Sequence, residues 1–387
     1  MQVTLVSRIF SPEAAAASFR LRALTQALVA GGDRVDVLTS AVPPFLRSDS
    51  EPEVPGVRVR RAPVLRDRHG YVRGYLQYLS FDVPAFFRVL FGARCDVVVV
   101  EPPPTTGLLV RLACAIRRLP YVYYAADIWS DATAATDAPG VVVQGVRWIE
   151  ARALRGARRV IAVSDGVRAR VLMLAPNADV VVVPNGIDTE IFTPDGDVDV
   201  DAPWGIYAGT TSEWQGADIF IRAMPAVLAV HPNATIAFLG QGSAWAALEA
   251  LAAVVAPGAV KFRGSVPPAQ AARWLRSARA GLVSLMPGQG YDFALPTKIF
   301  ASSATGTPVV FAGPGPSRHV IASGRLGVAV DYDAESVANA LIDAFGQAED
   351  TRERGRRAQW VAKNASSAAR ASEAAGVVRS AAALGRE

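Results

Sequence analysis

Short, nearly continuous apolar runs recur along the first half of the chain. Val3–Val6, Val35–Leu38, Val57–Arg60, Val97–Val100, Tyr121–Tyr124, Val160–Val163 and Val180–Val183 each read as a strand. Between them, apolar residues return every three or four positions, the period of a helix. Leu21, Leu24 and Leu28 mark one helix, with Ser18 as its expected N-cap and Gly31-Gly32 at its end. Further helices are expected from about Arg73 to Phe91, over Gly107–Arg117, around Val146–Leu154 and from Ser164. Buried strands that alternate with helices predict a parallel sheet covered on both faces.

The turn cluster Pro184-Asn185-Gly186-Ile187-Asp188 ends this pattern. The acidic stretch Asp195–Asp201 follows, spaced like the start of a calcium loop. Val200 stands where that loop needs glycine and Ile206 where it needs glutamate, so an acidic connection is expected. The alternation then restarts. Trp204–Ala208, Thr235–Leu239, Val260–Phe262, Gly281–Leu285, Val309–Phe311 and Val328–Val330 read as strands. Helices are expected near Ala217–Val230, Ala244–Val254 and Ala269–Ser277. An Ala-rich helical tail, Glu335–Leu384, is interrupted around Asn364–Ser367. The expected fold class is α/β, with two Rossmann-like parallel-sheet domains at 1–187 and 188–365. A helical segment at 366–387 could cross back to the first domain. Ligands of such sheets bind outside the carboxyl ends of the strands, and a central cleft faced by both domains is the natural site.

One stretch adds chemistry to this pattern. Gly290–Val310 reads as loop, helix and buried strand, with Pro296 expected at the first helical position and Gly306 at the helix end. A helix start aimed at a loop offers free N–H groups and a positive dipole end, which suits a phosphate. Lys298 in the first turn adds a full charge. The bland alternative is an ordinary αβ unit with a surface lysine.

Composition narrows the class. The chain has 387 residues, about half of them apolar, enough for two cores. Met1 leads directly into a strand without a basic leader, so no signal peptide is expected. The longest uncharged stretch, Ile299–Ser317, is broken by Gly306, Pro308, Gly313, Pro314, Gly315 and Pro316, which excludes a membrane span there. Cys95 and Cys114 imply a reducing compartment, no disulfide framework and no zinc site. His69, His231 and His319 form no motif. Residues 1–188 hold 23 Arg, no Lys and 17 acids, whereas residues 189–387 hold 17 basic and 18 acidic residues. A basic first half suits an anionic acceptor or a membrane surface. Arg58, Arg60, Arg61, Arg66, Arg68 and Arg73, followed by Tyr71, Tyr75, Tyr78, Phe81, Phe86 and Phe87, are the candidate surface. The alternative is that the aromatics are core residues and the arginines a solvated face.

Several motifs in order resemble the family-four retaining glycosyltransferases of the GT-B fold over nearly the whole length. They are Ser11-Pro12-Glu13-Ala14 with Arg20–Leu28, Val183–Phe192, Tyr207–Gly216, and Leu295–Phe300 with Gly306–Val310. Asp127-Ile128-Trp129 and Gln215-Gly216 further resemble the amino-sugar branch that includes N-acetylfucosamine transferases. The chain departs from the family in five places. Ala14–Ala17 replaces a Gly-Gly pair. Ala125 and Ala126 stand where many members have a histidine near Asp127. Asp292 stands for the first of two donor-side glutamates, and Ala301 aligns with the second, which usually binds the ribose. Thr210 and Gln215 align with the usual basic pair.

The resemblance implies a nucleotide diphosphate sugar donor (UDP, GDP or dTDP), no metal and no cofactor. Lys298 and the N–H groups of Leu295–Lys298 would meet the diphosphate. Asp127, Asp292 and Lys298 are the candidate catalytic residues. Gly209, Thr210, Gln215, Arg263, Gly264, Tyr291, Phe293, Ala294, Leu295, Thr297 and Ser302 are the candidate donor-binding set. Arg263-Gly264-Ser265 lies where the family holds the base. Ser11, Glu13, Ala15, Ala16, Glu101 and Trp129 are candidates on the acceptor side. Asp127 has the alternative role of a helix N-cap, and Glu150 is expected to pair with an arginine. The expected reaction is retaining transfer to a lipid-linked, polysaccharide or small-molecule acceptor, in the cytoplasm and with a possible contact at the inner membrane surface. Rival readings are a catalytically weak nucleotide-sugar-binding protein or partner subunit, a GT-B epimerase and a phosphorylase. A Rossmann dehydrogenase is disfavoured because the first βα turn lacks G-x-G-x-x-G.

Overall fold

A computed structural model describes residues 1–13, 15–43, 55–66, 72, 74–134, 138–199, 202–348 and 350–384. The expectations for Ala14, Arg68, His69, Tyr71, Arg73, Val200 and Asp201 lie outside these residues, as does the side chain of Tyr75. The chain divides into two compact units, Met1–Asn185 with Ala368–Glu387, and Gly186–Ser367.

The first unit opens with β1 (Gln2–Val6), α1 (Ala16–Ala30), β2 (Arg34–Ser40), β3 (Val57–Ala62) and α2 (Tyr75–Leu90). It continues with β4 (Val97–Val100), α3 (Pro104–Arg117), β5 (Tyr121–Ala125), α4 (Trp129–Ala134) and α5 (Gly140–Gly156). β6 (Arg159–Ala162), α6 (Asp165–Leu174) and β7 (Val180–Val182) complete the alternation. The sheet runs β3-β2-β1-β4-β5-β6-β7, all parallel. β4 is four valines, all buried, as a strand covered on both faces requires. Strand order reverses between β1 and β4, so the crevice of this sheet lies beyond their carboxyl ends.

Two local expectations change here. Ser18 does not cap α1. The helix starts two residues earlier, Ala15 holds the N-cap position without a side-chain bond, and Ser18 is buried in the first turn. Glu150 does not pair with an arginine. Its two oxygens accept the N–H groups of Trp129 at 2.8 Å and Ser130 at 2.9 Å. It therefore caps α4 from the neighbouring helix, the role considered for Asp127.

The second unit contains β8 (Gly205–Ala208), α7 (Asp218–Val230), β9 (Ile236–Leu239), α8 (Trp245–Val255), β10 (Val260–Arg263) and α9 (Pro268–Ser277). β11 (Ala280–Ser284), α10 (Thr297–Ala304), β12 (Val309–Ala312), α11 (Pro316–Gly324) and β13 (Gly327–Val330) follow, then α12 (Ala334–Gly346) and α13 (Thr351–Ala365). Its parallel sheet runs β10-β9-β8-β11-β12-β13 and reverses between β8 and β11. α11 was not expected, because Gly313-Pro314-Gly315-Pro316 reads as a breaker. Pro316 sits in its first turn, where the missing N–H costs nothing. Pro296, expected inside α10, is its N-cap, and Thr297 is the first helical residue.

The last helix, α14 (Ser367–Ala383), packs on the first unit. Ala374, Ala375, Val377, Val378, Ala381 and Ala382 join a core with Val3, Leu5, Leu21, Leu24 and Leu28. Arg379 binds Asp33 at 2.8 Å and donates to the Ala27 and Leu28 carbonyls at the end of α1. A cation at a helix carboxyl end opposes the dipole there. Among the described residues no helix is long and apolar enough to cross a membrane.

Candidate functional site

In the second unit the strand reversal brings two loops together. One follows β8 and runs from Gly209 to Gly216. The other follows β11 and runs from Leu285 to Pro296. They are tied by Met286, whose N–H donates to the Trp214 carbonyl at 3.0 Å, and by Trp214 and Tyr291, stacked at 4.3 Å between ring centroids. Phe293 lies 6.5 Å from Tyr291. Lys298, in the first turn of α10, crosses the end of β8. Its Nζ lies 5.0 Å from the Tyr207 ring centroid, and a Cβ at Gly209 would come within 3.2 Å of its Cε and Nζ. Gly209 has φ +121, a conformation that side chains rarely adopt, so the backbone there favours glycine. Lys298 has no ion pair among the described residues, and burial lowers its ammonium to about 8.

Asp292 turns back on its own loop, and both carboxylate oxygens accept the Gly288 N–H, at 3.1 and 3.3 Å. Each oxygen keeps acceptor capacity for a hydroxyl. Thr210 is exposed at the loop. Ala294 and Leu295 are half-buried and pack on the core beneath α10, and the Ala294 carbonyl accepts from Ser317. Thr297 is half-buried at the helix start. Arg263 and Gly264 are exposed at the end of β10, two strands away from β8.

Three expectations in this unit are corrected. Gln215 was expected to face the donor. It is buried, and its Oε1 accepts the Tyr207 hydroxyl at 3.2 Å and the Ser212 N–H at 3.1 Å, so it shapes the loop from within. Ser302 was placed in the donor set. It is buried against β11, where a Cβ at Gly281 would fall 2.0 Å from its Oγ. Ala301 stands where a ribose-binding glutamate was expected to fit. It is buried in an apolar cluster with Ile206, Ala237, Leu239, Leu275 and Ala278, surroundings that disfavour a carboxylate.

The reversal in the first unit has a different character. Glu101, at the end of β4, is buried and ion-pairs with Arg20 of α1. It also accepts from the Ser7 hydroxyl at 3.1 Å. Arg20 donates to Asn185 at 3.1 Å and lies 5.0 Å over the Tyr124 ring. Glu101 and neighbouring groups raise the Arg20 guanidinium despite burial, which acts the other way. Ser11 is buried, its Oγ accepting from Arg22 at 3.3 Å. Glu13 is half-buried, and burial raises its carboxyl while Arg66 and Arg61 pull it down. Ala15 and Ala16 form the uncapped start of α1. Beyond β5, Asp127 is open to solvent. The bulk of protein packed around this exposed side chain still raises its carboxyl, with Arg20 opposing. Trp129 stands edge-on to Tyr78 at 5.8 Å.

The sequence reading missed the polar network around Ser7, Arg8 and Arg20. Arg8 and Ser7 directly follow β1 at the reversal, the one signal available beforehand. The arginine run also differs from expectation. Arg60 pairs with Asp36 at 3.7 Å, Arg61 donates to the Ser40 carbonyl at 3.1 Å, and Arg66 donates to the Ser40 hydroxyl at 3.2 Å. These side chains secure the loops of the fold.

Solved structures share this fold over the full length. Sucrose-phosphate synthase from Thermosynechococcus elongatus is 18% identical with a TM-score of 0.78, covering 99% of this chain and 100% of that one. HepE from Anabaena, in complex with UDP and glucose, is 16% identical with a TM-score of 0.72, covering 98% and 100%. The fold is therefore that of GT-B glycosyltransferases. Residues 16–186 match the glycosyl transferase 4-like domain and residues 202–347 the glycosyl transferases group 1 family, so the chain belongs to the GT4-like members of glycosyltransferase group 1. D-inositol 3-phosphate glycosyltransferase from Acidothermus cellulolyticus is 31% identical over 180 residues, 41% of this chain and 39% of that relative's length.

Proposed function

We propose that this chain is a retaining, metal-independent glycosyltransferase using a nucleotide diphosphate sugar. The observation that carries the reading is Lys298. It is a cation without an ion pair among the described residues, at the start of α10 and laid over Gly209 at the strand reversal of its sheet. There it would join the N–H groups of the helix start against the leaving diphosphate. Asp292 and loop N–H groups would hold the sugar hydroxyls, with Trp214 and Tyr291 keeping the two loops in register. Retention without an enzyme nucleophile is a same-face substitution. The bond from the anomeric carbon to the leaving phosphate breaks, the acceptor oxygen bonds on that face, and its proton passes to the leaving phosphate oxygen. Asp127 is assigned to the sugar or the acceptor. Resemblance at Asp127-Ile128-Trp129 supports an amino sugar.

A lipid-linked acceptor met at a membrane surface is the reading for the first unit. Leu76, Leu79, Val83 and Phe87 of α2 lie at the spacing of one helix face, which continues to Phe91, and all five are exposed. Leu112 and Ile116 of the adjoining α3 are exposed as well, with Arg94 and Arg118 nearby in the chain. Asp82, Asp96 and Glu101, the acids between residues 74 and 126, are bound within the fold. An apolar helix face with basic neighbours suits anionic headgroups. Vesicle sedimentation checks this, and Leu76→Ser with Phe91→Ser should abolish binding to anionic vesicles. Binding unchanged by this pair would place any membrane contact elsewhere.

The reaction itself is tested by NMR with a panel of UDP-, GDP- and dTDP-sugars in a chelator. Turnover should release the nucleoside diphosphate and give a product with the donor's anomeric configuration. An inverted product would end the retaining reading, and nucleotide binding without any turnover would favour a binding protein.

A further inference from the structure

The strand reversal of the first unit holds two buried arginines with opposite surroundings. Arg20 has an acid partner, Glu101, and an amide partner, Asn185. Arg8 is enclosed as well, at 7% exposure, and has no ion pair among the described residues. Its guanidinium lies 4.2 Å over the Tyr78 ring and 5.7 Å from the Trp129 ring. It hydrogen-bonds with Tyr78, Nη1 makes a long contact, 3.4 Å, with the Val72 carbonyl, and Nε is enclosed without a partner among the described residues. The acids in its vicinity, Asp82 and Glu101, are committed elsewhere: Asp82 accepts the hydroxyls of Thr105 and Thr106, and Glu101 pairs with Arg20. Burial lowers the Arg8 guanidinium, with Tyr78, Asp82 and Glu101 pulling the other way.

A buried cation without a bonded acid is costly, and such arrangements concentrate where a ligand completes them. Two aromatic rings flank the guanidinium, and its Nε, without a partner among the described residues, keeps a donor for a planar or forked acceptor. Tyr78 and Trp129 come from α2 and α4, so the position of Arg8 is set by three separate elements rather than by its own loop.

We propose that Arg8 is an oxyanion-recognition residue. With the Tyr78–Trp129 pair it forms a subsite for the phosphate or carboxylate of an anionic acceptor. This deepens the proposed transfer reaction, on which it rests, by naming the acceptor class. The anionic group could belong to a soluble phosphosugar or to a lipid phosphate, and both present the same oxygens to the guanidinium.

Calorimetry and thermal unfolding with wild type, Arg8→Met and Arg8→Lys test the assignment. The probes are inorganic phosphate, myo-inositol 1-phosphate, a short-chain polyprenyl phosphate, and UDP, GDP and dTDP. Phosphate probes should bind wild type and raise its melting temperature. Arg8→Met should lose at least ~10-fold in phosphate affinity, the scale of one charged hydrogen bond, and Arg8→Lys should retain part of it. Nucleoside diphosphate affinity should stay unchanged in both. Without ligand, Arg8→Met should melt no lower than wild type, because a methionine of similar volume removes an uncompensated charge. Preference for inositol phosphate or for polyprenyl phosphate identifies the source. Phosphate probes that leave wild type unaffected, or that stabilise Arg8→Met equally, overturn the subsite, and so does marked destabilisation of Arg8→Met, which would make Arg8 a packing residue. No binding of any nucleoside diphosphate would instead defeat the transfer reading. The two failures are therefore distinguishable.

Discussion

The two strand reversals solve different problems with different materials. In the second unit the site is built from backbone and aromatic rings. Gly209 clears space, Trp214 and Tyr291 lock two loops, and one lysine supplies charge. In the first unit the equivalent position is filled with charges fixed in the interior, Arg20 against Glu101 and Arg8 against Tyr78. A site for a conserved chemical group such as a diphosphate can rely on a helix start and a single cation. Under the proposed reaction, the first unit would select the acceptor with side chains preset by contacts such as Arg20 with Glu101.

This contrast predicts that breaking the Arg20–Glu101 pair costs stability, whereas loosening the two loops of the second unit costs ligand affinity. Arg20→Ala should show the largest effect. It leaves Glu101 buried beside Ser7 without its cation, a loss of about 3–5 kcal/mol measurable by denaturant unfolding. A cost near zero would show that Glu101 regains water. Ala301→Glu comes next. Its carboxylate would enter the apolar cluster around Leu275 and Ala278, costing about 1–3 kcal/mol of stability. Stronger nucleotide binding by this variant would instead show that the side chain reaches a ribose, and would restore the alignment-based expectation. Trp214→Ala is expected to be the mildest, with about 0.5–1.5 kcal/mol lost from the ring pair. Its signature should be weaker nucleotide binding from loosened loops, with the melting temperature little changed.

The sequence showed what depends on local pattern. Buried runs such as Val97–Val100 could only be interior strands, and the glycine loop, Pro296 and Lys298 lie close enough in the chain to be read as one unit. It failed where burial depends on distant elements. Glu150 looked like a partner for an arginine because α5 carries several, yet it faces the start of α4. Gln215 and Ser302 belong to motif-like segments, but their side chains point to Tyr207 and Gly281 and so serve the interior. Arg8 was invisible as a site residue because its environment comes from Tyr78 and Trp129, about 70 and 120 residues later. The arginines at 60, 61 and 66 misled for the same reason, since a charge run says nothing about which carbonyls lie within reach.

Lys298 also has a pH signature. Its pKa is lowered to about 8 in the folded chain, below the ordinary lysine value, so the ammonium is present below about pH 8 and lost above it. The folded state therefore binds this proton less well than the unfolded chain. Its contribution to stability rises as pH increases from about 8 toward the unfolded lysine value, while its attraction for a diphosphate falls over the same window.

Calorimetric titration of UDP, GDP and dTDP into wild type and Lys298→Ala, at about pH 7 and about pH 9, tests the central assignment most directly. At least one nucleotide should bind wild type, and Lys298→Ala should lose about 1.5–3 kcal/mol at the lower pH. Wild-type affinity should drop at the higher pH, while the variant's should not. A folded Lys298→Ala protein that binds the same nucleotide with wild-type affinity at both pH values would contradict it.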